Sequence, residues 1–272
     1  MNKDRNIQVM GIVNLTDDSY YSESRCADVE AAMARIDVMV AEGADIIDIG
    51  ACSTRPGSLP VGADEEWRRL QPVLLAVKEK YPDIAISIDT YWSSVVERTY
   101  DLIGPFIVND ISAGEDDPEM LPLAGRLGLQ YIAMHKRGTP AVMQSKTEYD
   151  NLIADIVEYF KNFSEKAEKC GIRNWILDPG FGFSKTIEQN YNLLRDLSEF
   201  KQITLTDDRP VPILVGVSRK SMIYRYLGLS PEEVLPSTQV LHLYALQNGA
   251  DVLRVHDVAE AKRTILLYKM MN

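Results

Sequence analysis

The strongest constraint on the fold is an alternation of short apolar runs with longer helical patterns along the whole chain of 272 residues. The apolar runs occupy residues 7–14, 45–50, 85–90, 106–111, 130–135, 175–180, 212–218 and 252–257. They are nearly continuous and lack a period of two, which is typical of strands buried on both faces of a parallel sheet. Amphipathic stretches at 28–42, 65–81, 93–103, 118–127, 150–170, 187–200, 230–248 and 258–270 predict the intervening helices.

Eight such units favour a closed (β/α)8 TIM barrel over an open doubly wound sheet. The length fits one barrel of roughly 250 residues, so we expect residues 1–272 to form a single domain. With 46% hydrophobic residues, the chain has enough apolar surface to form a full core.

Composition also restricts the partners. The formal net charge is -11, and so acidic a surface repels the phosphates of nucleic acid. No apolar stretch reaches the roughly 20 residues that a membrane span needs. The three cysteines, Cys26, Cys52 and Cys170, form neither a disulfide framework nor a CxxC metal pair. We therefore expect a cytoplasmic protein that binds neither nucleic acid nor membrane.

Polar side chains close all eight predicted strands, at the face where barrel enzymes carry their active sites. In chain order they are Asn14 with Thr16, Asp17 and Asp18 behind it, Asp48 with Ser53 to Gly57, Asp89 with Thr90, Asn109 with Asp110, His135, Asp178, Ser218 to Ser221, and Arg254 with His256 and Asp257. Burying so many polar groups is costly unless a ligand meets them. The pattern therefore predicts one small-molecule site.

The charges divide this site into two halves. Arg55, Lys220, Arg254 and His256 offer positive donors and Asn14 a neutral amide. This half suits a polyanion such as pyrophosphate together with a hard divalent ion. Asp89, Asn109 and Asp178 offer acceptors that suit the guanidine-like edge of a heterocycle. The two halves indicate a heterocyclic substrate that carries phosphates, and motifs for zinc hydrolysis, acyl transfer and dinucleotide binding are missing from the sequence.

Several of these side chains also have a structural interpretation that the sequence leaves open. Asp48 is either a site residue or a buried acid bonded to backbone or to Arg55. His135 is either a ligand contact or a satisfied interior histidine. The remaining structural interpretations are capping of the next turn or helix by Asp110 and Asp257, a helical role for His242, loop geometry for Gly180 and Gly182, and a solvated loop for Asp17 and Asp18.

Taken together, the segments resemble the dihydropteroate synthases of the folate pathway. The matching segments are VMGIVNLTDDS, DIIDIGACSTRPGS, SIDT, VNDISAG, AMHKRGTP, ILDPGFGFSKT, LVGVSRKSMI and NGADVLRVHDV, which follow one another along nearly the whole chain. The resemblance implies condensation of 6-hydroxymethyl-7,8-dihydropterin pyrophosphate with p-aminobenzoate, for which we hypothesise an SN1-like substitution. It also implies Mg2+ as cofactor, a homodimer and competition by sulfonamides.

The resemblance assigns a role to each matching residue. The pterin would be bound by Asp89, Asn109, Met134, Asp178, Gly216 and Lys220. The pyrophosphate would be bound by Asn14, Arg55, Arg254 and His256, with Asn14 as a metal ligand. The p-aminobenzoate would lie against Thr54, Pro56, Phe183, Lys220 and Ser221, the last at the start of a short helix at 221–227. Catalysis would depend on Lys220, Asp89, Arg254, His256 and Arg55.

The chain departs from the family pattern in its first loop, at Cys52, and in the helix that contains LPSTQVLHLYALQNG, which lacks the expected small residues. Its first loop reads NLTDDSYYSESR where the family usually reads NVTPDSFSDGG, so Asp17 replaces a proline. Cys52 stands where a glutamate commonly precedes STRPG. Two other functions remain as alternatives: a corrinoid-dependent methyltransferase with a similar pterin barrel, and a non-catalytic pterin-binding paralogue.

Overall fold

The computed structural model describes residues 5–15, 29–52, 61–138 and 142–272. Its strands are β1 (Gln8–Asn14), β2 (Ile46–Gly50), β3 (Ala85–Asp89), β4 (Ile107–Asp110), β5 (Gln130–Met134), β6 (Trp175–Asp178), β7 (Leu214–Val215) and β8 (Val252–Val255). They form one parallel sheet in the order β6-β5-β4-β3-β2-β1-β8-β7. A parallel bridge between Leu177 and Ile213 joins the two edge strands. The predicted (β/α)8 barrel is therefore confirmed.

The helices are α1 (Val29–Ala41), α2 (Ala63–Lys80), α3 (Ser93–Ile103), α4 (Met120–Arg126), α5 (Leu152–Lys169), α6 (Ile187–Arg195), α7 (Ser221–Leu227), α8 (Leu235–Gln247) and α9 (Val258–Met271). Local sequence explains several of their ends. Asn151 caps α5 by accepting from the Ala154 amide, and Thr186 forms a reciprocal capping box with Gln189 at α6. Gly228 ends α7 in the left-handed conformation at φ 68°, which confirms the short helix expected at 221–227. Within the described part of the chain, no helix has the length and apolar character of a membrane span.

Two predicted helices have different bounds in the structure. The stretch 187–200 divides into α6 and a 3-10 turn, Leu197–Gln202. The stretch 230–248 becomes helical only at Leu235. Pro236 has no N–H to give the carbonyl of Glu232, and the guanidinium of Arg219 donates to that carbonyl instead at 2.9 Å. The segment before Leu235 therefore forms a turn and not the first part of the helix.

The barrel interior changes from apolar to polar along the strands. Its base is filled by Met10, Ile46, Ile107, Ile132, Ile176, Leu214 and Val252. The strand register then places Asn14, Gly50, Asp89 and Asn109 beside one another on four neighbouring strands, near the carboxyl ends. Successive side chains of a strand point to opposite faces, so the outward residues pack against the helices while the polar ones enter the barrel mouth.

Candidate active site

The carboxylate of Asp48 lies at the centre of the polar half of the barrel. It is completely buried and accepts from Nδ2 of Asn109 at 3.2 Å and from Nε of Arg254 at 2.7 Å. Asp48 is therefore held by side chains of β4 and β8, whereas Arg55, the partner considered from the sequence, lies outside the described residues. Because Nδ2 of Asn109 faces Asp48, the amide presents its oxygen elsewhere.

Asp89 is joined to the same network. Nη2 of Arg254 lies 2.9 Å from Oδ2 of Asp89 while its Nε stays on Asp48. Burial raises the pKa of Asp89 to about 7, and the neighbouring Asp48 adds to this effect while Arg254 opposes it. Arg254 was assigned to the pyrophosphate from the sequence, whereas Asp89 was assigned to the pterin. Their contact therefore connects the two predicted halves of the site.

Asp178 closes the acid pocket from β6. Its Oδ1 accepts from the Gly180 amide at 2.8 Å, and burial raises its pKa while Lys220 opposes that shift. Met134 is paired with Asp178 in register and is buried at the end of β5. Gly216 lies beside Arg254, where an added Cβ would come 3.9 Å from the arginine Cβ. The predicted pterin residues therefore converge at one end of the barrel.

Lys220 reaches this pocket from the end of β7. Its Nζ donates to the carbonyl of Phe181 and lies 4.8 Å from the centre of the Phe183 ring. Burial lowers the pKa of Lys220 to about 8, although Asp178 favours the charged form. Ser221 begins α7 directly behind it. Lys220, Phe183 and Ser221 therefore lie close enough to form one subsite.

His256 differs from the sequence-based expectation of a positive donor. Its Nδ1 lies 3.0 Å from Oγ of Ser218, and burial lowers its pKa to about 3. The side chain is therefore neutral at pH 7 and can contribute a hydrogen bond but no charge in the free protein. Arg254 remains charged, because Asp48 and Asp89 raise its pKa against the effect of burial.

The other structural interpretations have clear outcomes. Asp110 caps the turn after β4 by accepting from the amides of Ser112 and Gly114, as predicted. Asp257 is the residue before α9, but its side chain caps nothing and instead pairs with Arg219 at 2.8 and 2.9 Å, so that prediction is wrong. His135 is an interior histidine whose Nδ1 meets Lys185 at 3.1 Å. His242 lies buried in α8 beside Gln239.

Several residues named from the sequence lie outside the described residues, namely Thr16, Asp17, Asp18, Cys26, Ser53, Thr54, Arg55, Pro56 and Gly57. Asn14, the predicted metal ligand, ends β1 with its Oδ1 3.7 Å from where a Cβ of Gly50 would lie. Among the described residues no three acidic, cysteine or histidine side chains group as a metal site. The amide oxygen of Asn14 is a hard donor of the kind that Mg2+ accepts beside water and substrate phosphates.

Arg219, Lys185 and Glu66 are among the buried charged residues to which sequence reasoning gave no role. Arg219 is 5% exposed and lies within the SRKS segment, where only its neighbours Lys220 and Ser221 were given roles. Lys185 is 4% exposed at the end of the GFGFSK segment. Glu66 is fully buried in the first turn of α2. The first two could have been found as charged residues inside segments that otherwise match the family, whereas nothing in the sequence separates Glu66 from the half-buried Glu65 before it.

The fold and this site place the chain among known proteins. Residues 10–256 match the family described as pterin binding enzyme. The dihydropteroate synthase of Escherichia coli K12 is 38% identical over 254 residues, which cover 93% of this chain and 87% of the relative. The structure of the Yersinia pestis dihydropteroate synthase with a sulfonamide drug complex superposes with a TM-score of 0.90 at 35% identity, covering 100% of this chain and 95% of that one.

A third likeness concerns the Burkholderia cenocepacia dihydropteroate synthase complexed with 7,8-dihydropteroate, with a TM-score of 0.86 at 32% identity over 97% of this chain and 91% of that one. The chain therefore belongs to the dihydropteroate synthase family, within the pterin-binding enzymes, and is a transferase. The likenesses favour neither the corrinoid methyltransferase nor the non-catalytic alternative.

Proposed function

We propose that this chain joins 6-hydroxymethyl-7,8-dihydropterin pyrophosphate to p-aminobenzoate and releases 7,8-dihydropteroate and pyrophosphate. The observation that carries the proposal is the buried network in which Asp48 aligns Asn109 and Arg254 beside Asp89 and Asp178. It combines acceptors for a heterocycle with a cation for a phosphate group in one barrel mouth. The Burkholderia relative, complexed with 7,8-dihydropteroate, supports the same product here.

The pterin would occupy the acid–amide pocket. The carboxylate of Asp178 suits two parallel N–H bonds from the aminopyrimidinone edge. The amide oxygen of Asn109 adds an acceptor, because its Nδ2 is already held by Asp48. Met134 would pack against the ring, Lys220 would donate to a ring heteroatom, and the missing side chain at Gly216 would leave room for it.

The pyrophosphate would lie across the cationic half. Arg254 carries the charge, and neutral His256 donates a hydrogen bond. Arg55 is proposed as a further cation. Asn14 would give one oxygen to Mg2+, and the bound ion would supply charge neutralisation for the leaving pyrophosphate.

The arylamine would bind between the pterin and the end of β7. The Phe183 ring supplies an apolar wall, and the start of α7 at Ser221 together with Lys220 favours the carboxylate of p-aminobenzoate. Thr54 and Pro56 are proposed to complete this subsite. Sulfonamides would compete here, and the structure of the Yersinia relative with a sulfonamide drug complex supports this proposal.

The reaction would break the C–O bond between the methylene carbon and the pyrophosphate, with the electron pair leaving on oxygen. The resulting cation is delocalised into the pterin ring, and Asp89 would stabilise it electrostatically. The amine nitrogen then forms the C–N bond with its lone pair and loses a proton to solvent. Oxygen scrambling in a positional isotope exchange experiment on the pyrophosphate would support this SN1-like order, and no scrambling would contradict it.

A turnover assay tests the proposed function itself. Purified protein, pterin pyrophosphate, labelled p-aminobenzoate and Mg2+ should yield labelled dihydropteroate and one equivalent of pyrophosphate, and removal of Mg2+ with a chelator should stop the reaction. Formation of a methylated corrinoid from methyltetrahydrofolate, or binding of pterin without product, would instead support one of the two alternatives.

The assembly and location of the chain are also proposals. We propose a homodimer, supported by a groove of about 500 Å³ between α6, α7 and α8 that is lined by apolar side chains such as Tyr226 and Val240. These two side chains are 70% and 66% exposed in the single chain. We further propose one barrel domain in the cytoplasm, supported by the three widely spaced cysteines of the sequence, which form no disulfide framework pattern.

A further inference from the structure

Lys185 is a buried charge that the proposed chemistry does not use. Its Nζ lies 3.0 Å from the carbonyl oxygens of Gly180 and Phe183 and 3.1 Å from Nδ1 of His135. Among the described residues, no carboxylate forms an ion pair with it. Burying an ammonium group without an ion-pair partner is costly. The three neutral acceptors around Lys185 therefore indicate that this side chain is retained to hold them in place.

All three acceptors belong to one turn or to its immediate support. The turn follows β6 and runs through Gly180 to Phe183, with the Phe183 amide donating to the Gly180 carbonyl at 3.1 Å. His135 supports it from the end of β5. A Cβ on Gly180 would lie 2.0 Å from the His135 carbonyl, and the φ of Gly180 is 74°, so the turn packs against β5 without room for a side chain.

The same turn supplies two contacts to Lys220. The Phe181 carbonyl accepts from Nζ of Lys220, and the Phe183 ring lies 4.8 Å from that atom. Lys185 therefore binds the carbonyls of the first and last residues of the turn, while Lys220 binds the carbonyl between them. The two lysines hold the turn through different carbonyls.

We propose that Lys185 is a positioning residue that fixes the turn 180–183, so that Phe183 and the Phe181 carbonyl keep Lys220 in place for the arylamine. The inference rests on the proposed function, since it concerns the arylamine subsite of that reaction. Burial lowers the pKa of Lys185 to about 7, while the charge of Asp178, which forms no ion pair with it, opposes that shift. His135 can accept from the ammonium, because burial and the neighbouring Lys185 and Arg137 charges keep its pKa well below the ordinary value.

The test replaces Lys185 by methionine, which keeps the length of the side chain and removes its three donors. We expect KM for p-aminobenzoate to rise by about tenfold or more, since small displacements of positioning groups are costly. The Kd of a pterin pyrophosphate analogue should rise by a smaller factor than this KM, because Lys220 contacts both ligands whereas Asn109 and Met134 hold the pterin independently of the turn. Lys185→Gln, which still donates to carbonyls, should recover part of the loss.

A matched control is Lys201→Met, in which the lysine that pairs with Asp251 at the other end of the barrel is lost. It should lower stability without changing either constant. An unchanged KM in folded Lys185→Met, or an increase in the pterin Kd equal to that in KM, would overturn the inference. If Lys185→Met does not fold, the same comparison of KM for p-aminobenzoate with Kd for the pterin analogue is made in Lys185→Gln. Wild-type protein is measured in the same assay. If the proposed function were wrong, the wild type would form no product, whereas an error in the role of Lys185 alone would leave wild-type turnover intact.

Discussion

Two side chains from different halves of the site, the amide of Asn109 and the guanidinium of Arg254, meet on the carboxylate of Asp48. The sequence placed Asn109 and Arg254 at strand ends and Asp48 within its strand, because polar residues closing apolar runs mark one face of a barrel. It could not pair them, since Asp48 and Arg254 are far apart along the chain and only the closed barrel brings β2 and β8 to opposite sides of β1. The charge of His256 was predicted wrongly for a related reason, because its pKa depends on burial.

Glu66 gives a prediction at the same scale. Its carboxyl group is fully buried, and burial raises its pKa from 4.5 to about 7 against a smaller opposing effect of the Thr90 hydroxyl. A carboxyl group whose pKa is raised on folding binds a proton more tightly in the folded state, so its contribution to stability falls as pH rises from about 4.5 to about 7. Across this pH range the contribution of Glu66 to the free energy of unfolding should fall by roughly 3 kcal/mol.

Urea unfolding of wild type and Glu66→Gln at pH 5 and pH 8 measures this dependence. The wild type should lose stability relative to the variant between the two pH values. Glu65→Gln is the matched control, because Arg68 and Arg69 lower the pKa of Glu65 to about 2 and its contribution is therefore constant in this range. If the difference in free energy of unfolding between wild type and Glu66→Gln did not change with pH, the raised pKa of Glu66 in the folded protein would be contradicted.

At the scale of elements, the strands were easier to predict than the starts of the helices. The eight apolar runs all contain strands, because burial on both faces leaves a strong sequence signal. The start of α8 was missed because Ser230 and Pro231 have the chemistry of a helix start, whereas Pro236 and the buried Arg219 determine where the helix begins. Long-range contacts of one side chain thus override a local capping signal.

The Arg219–Asp257 pair leads to an element-scale prediction. Arg219 joins the end of β7 to the residue before α9 and to the carbonyls of Pro231 and Glu232. Its side chain and that of Asp257 are only 5% and 12% exposed. Arg219→Met leaves Asp257 buried without its partner, which should lower the free energy of unfolding by about 3–5 kcal/mol.

Chemical denaturation checks that value, with Arg209→Met as control. Arg209 also pairs with an aspartate, Asp207, but its side chain is 71% exposed. The control should therefore change stability very little. Equal effects of the two substitutions would show that the Arg219 pair does not hold these elements together.

For the molecule as a whole, the fold followed from the sequence pattern, whereas the loops did not. The order of eight parallel strands and the bridge that closes them agree with the predicted barrel. Roles for Thr54, Arg55, Pro56, Asp17 and Asp18 stay predictions, since these residues lie outside the described part of the chain. The apolar groove beside α7 and α8 was not predicted, because periodicity does not distinguish a helix face that meets the core from one that meets another molecule.

The proposed homodimer can be tested by measuring the mass of the protein in solution and by substituting residues of this groove. Sedimentation should give twice the 30.6 kDa mass of one chain. Val240→Glu places a charge on the exposed apolar face of α8 and should shift the protein towards monomers. Lys161→Glu, on the different surface of α5, should leave the mass unchanged. A wild-type monomer, or a dimer that tolerates the Val240 charge, would contradict an interface at this groove.

The central claim is that the acid–amide pocket around Asp178 binds the pterin, and calorimetric titration of Asp178→Asn with a pterin pyrophosphate analogue tests it most directly. The substitution keeps the shape of the side chain and replaces one acceptor oxygen by a donor. The account predicts a loss of binding free energy of about 2–4 kcal/mol, roughly thirtyfold to a thousandfold in Kd. A folded variant that binds the pterin as tightly as wild type would contradict it.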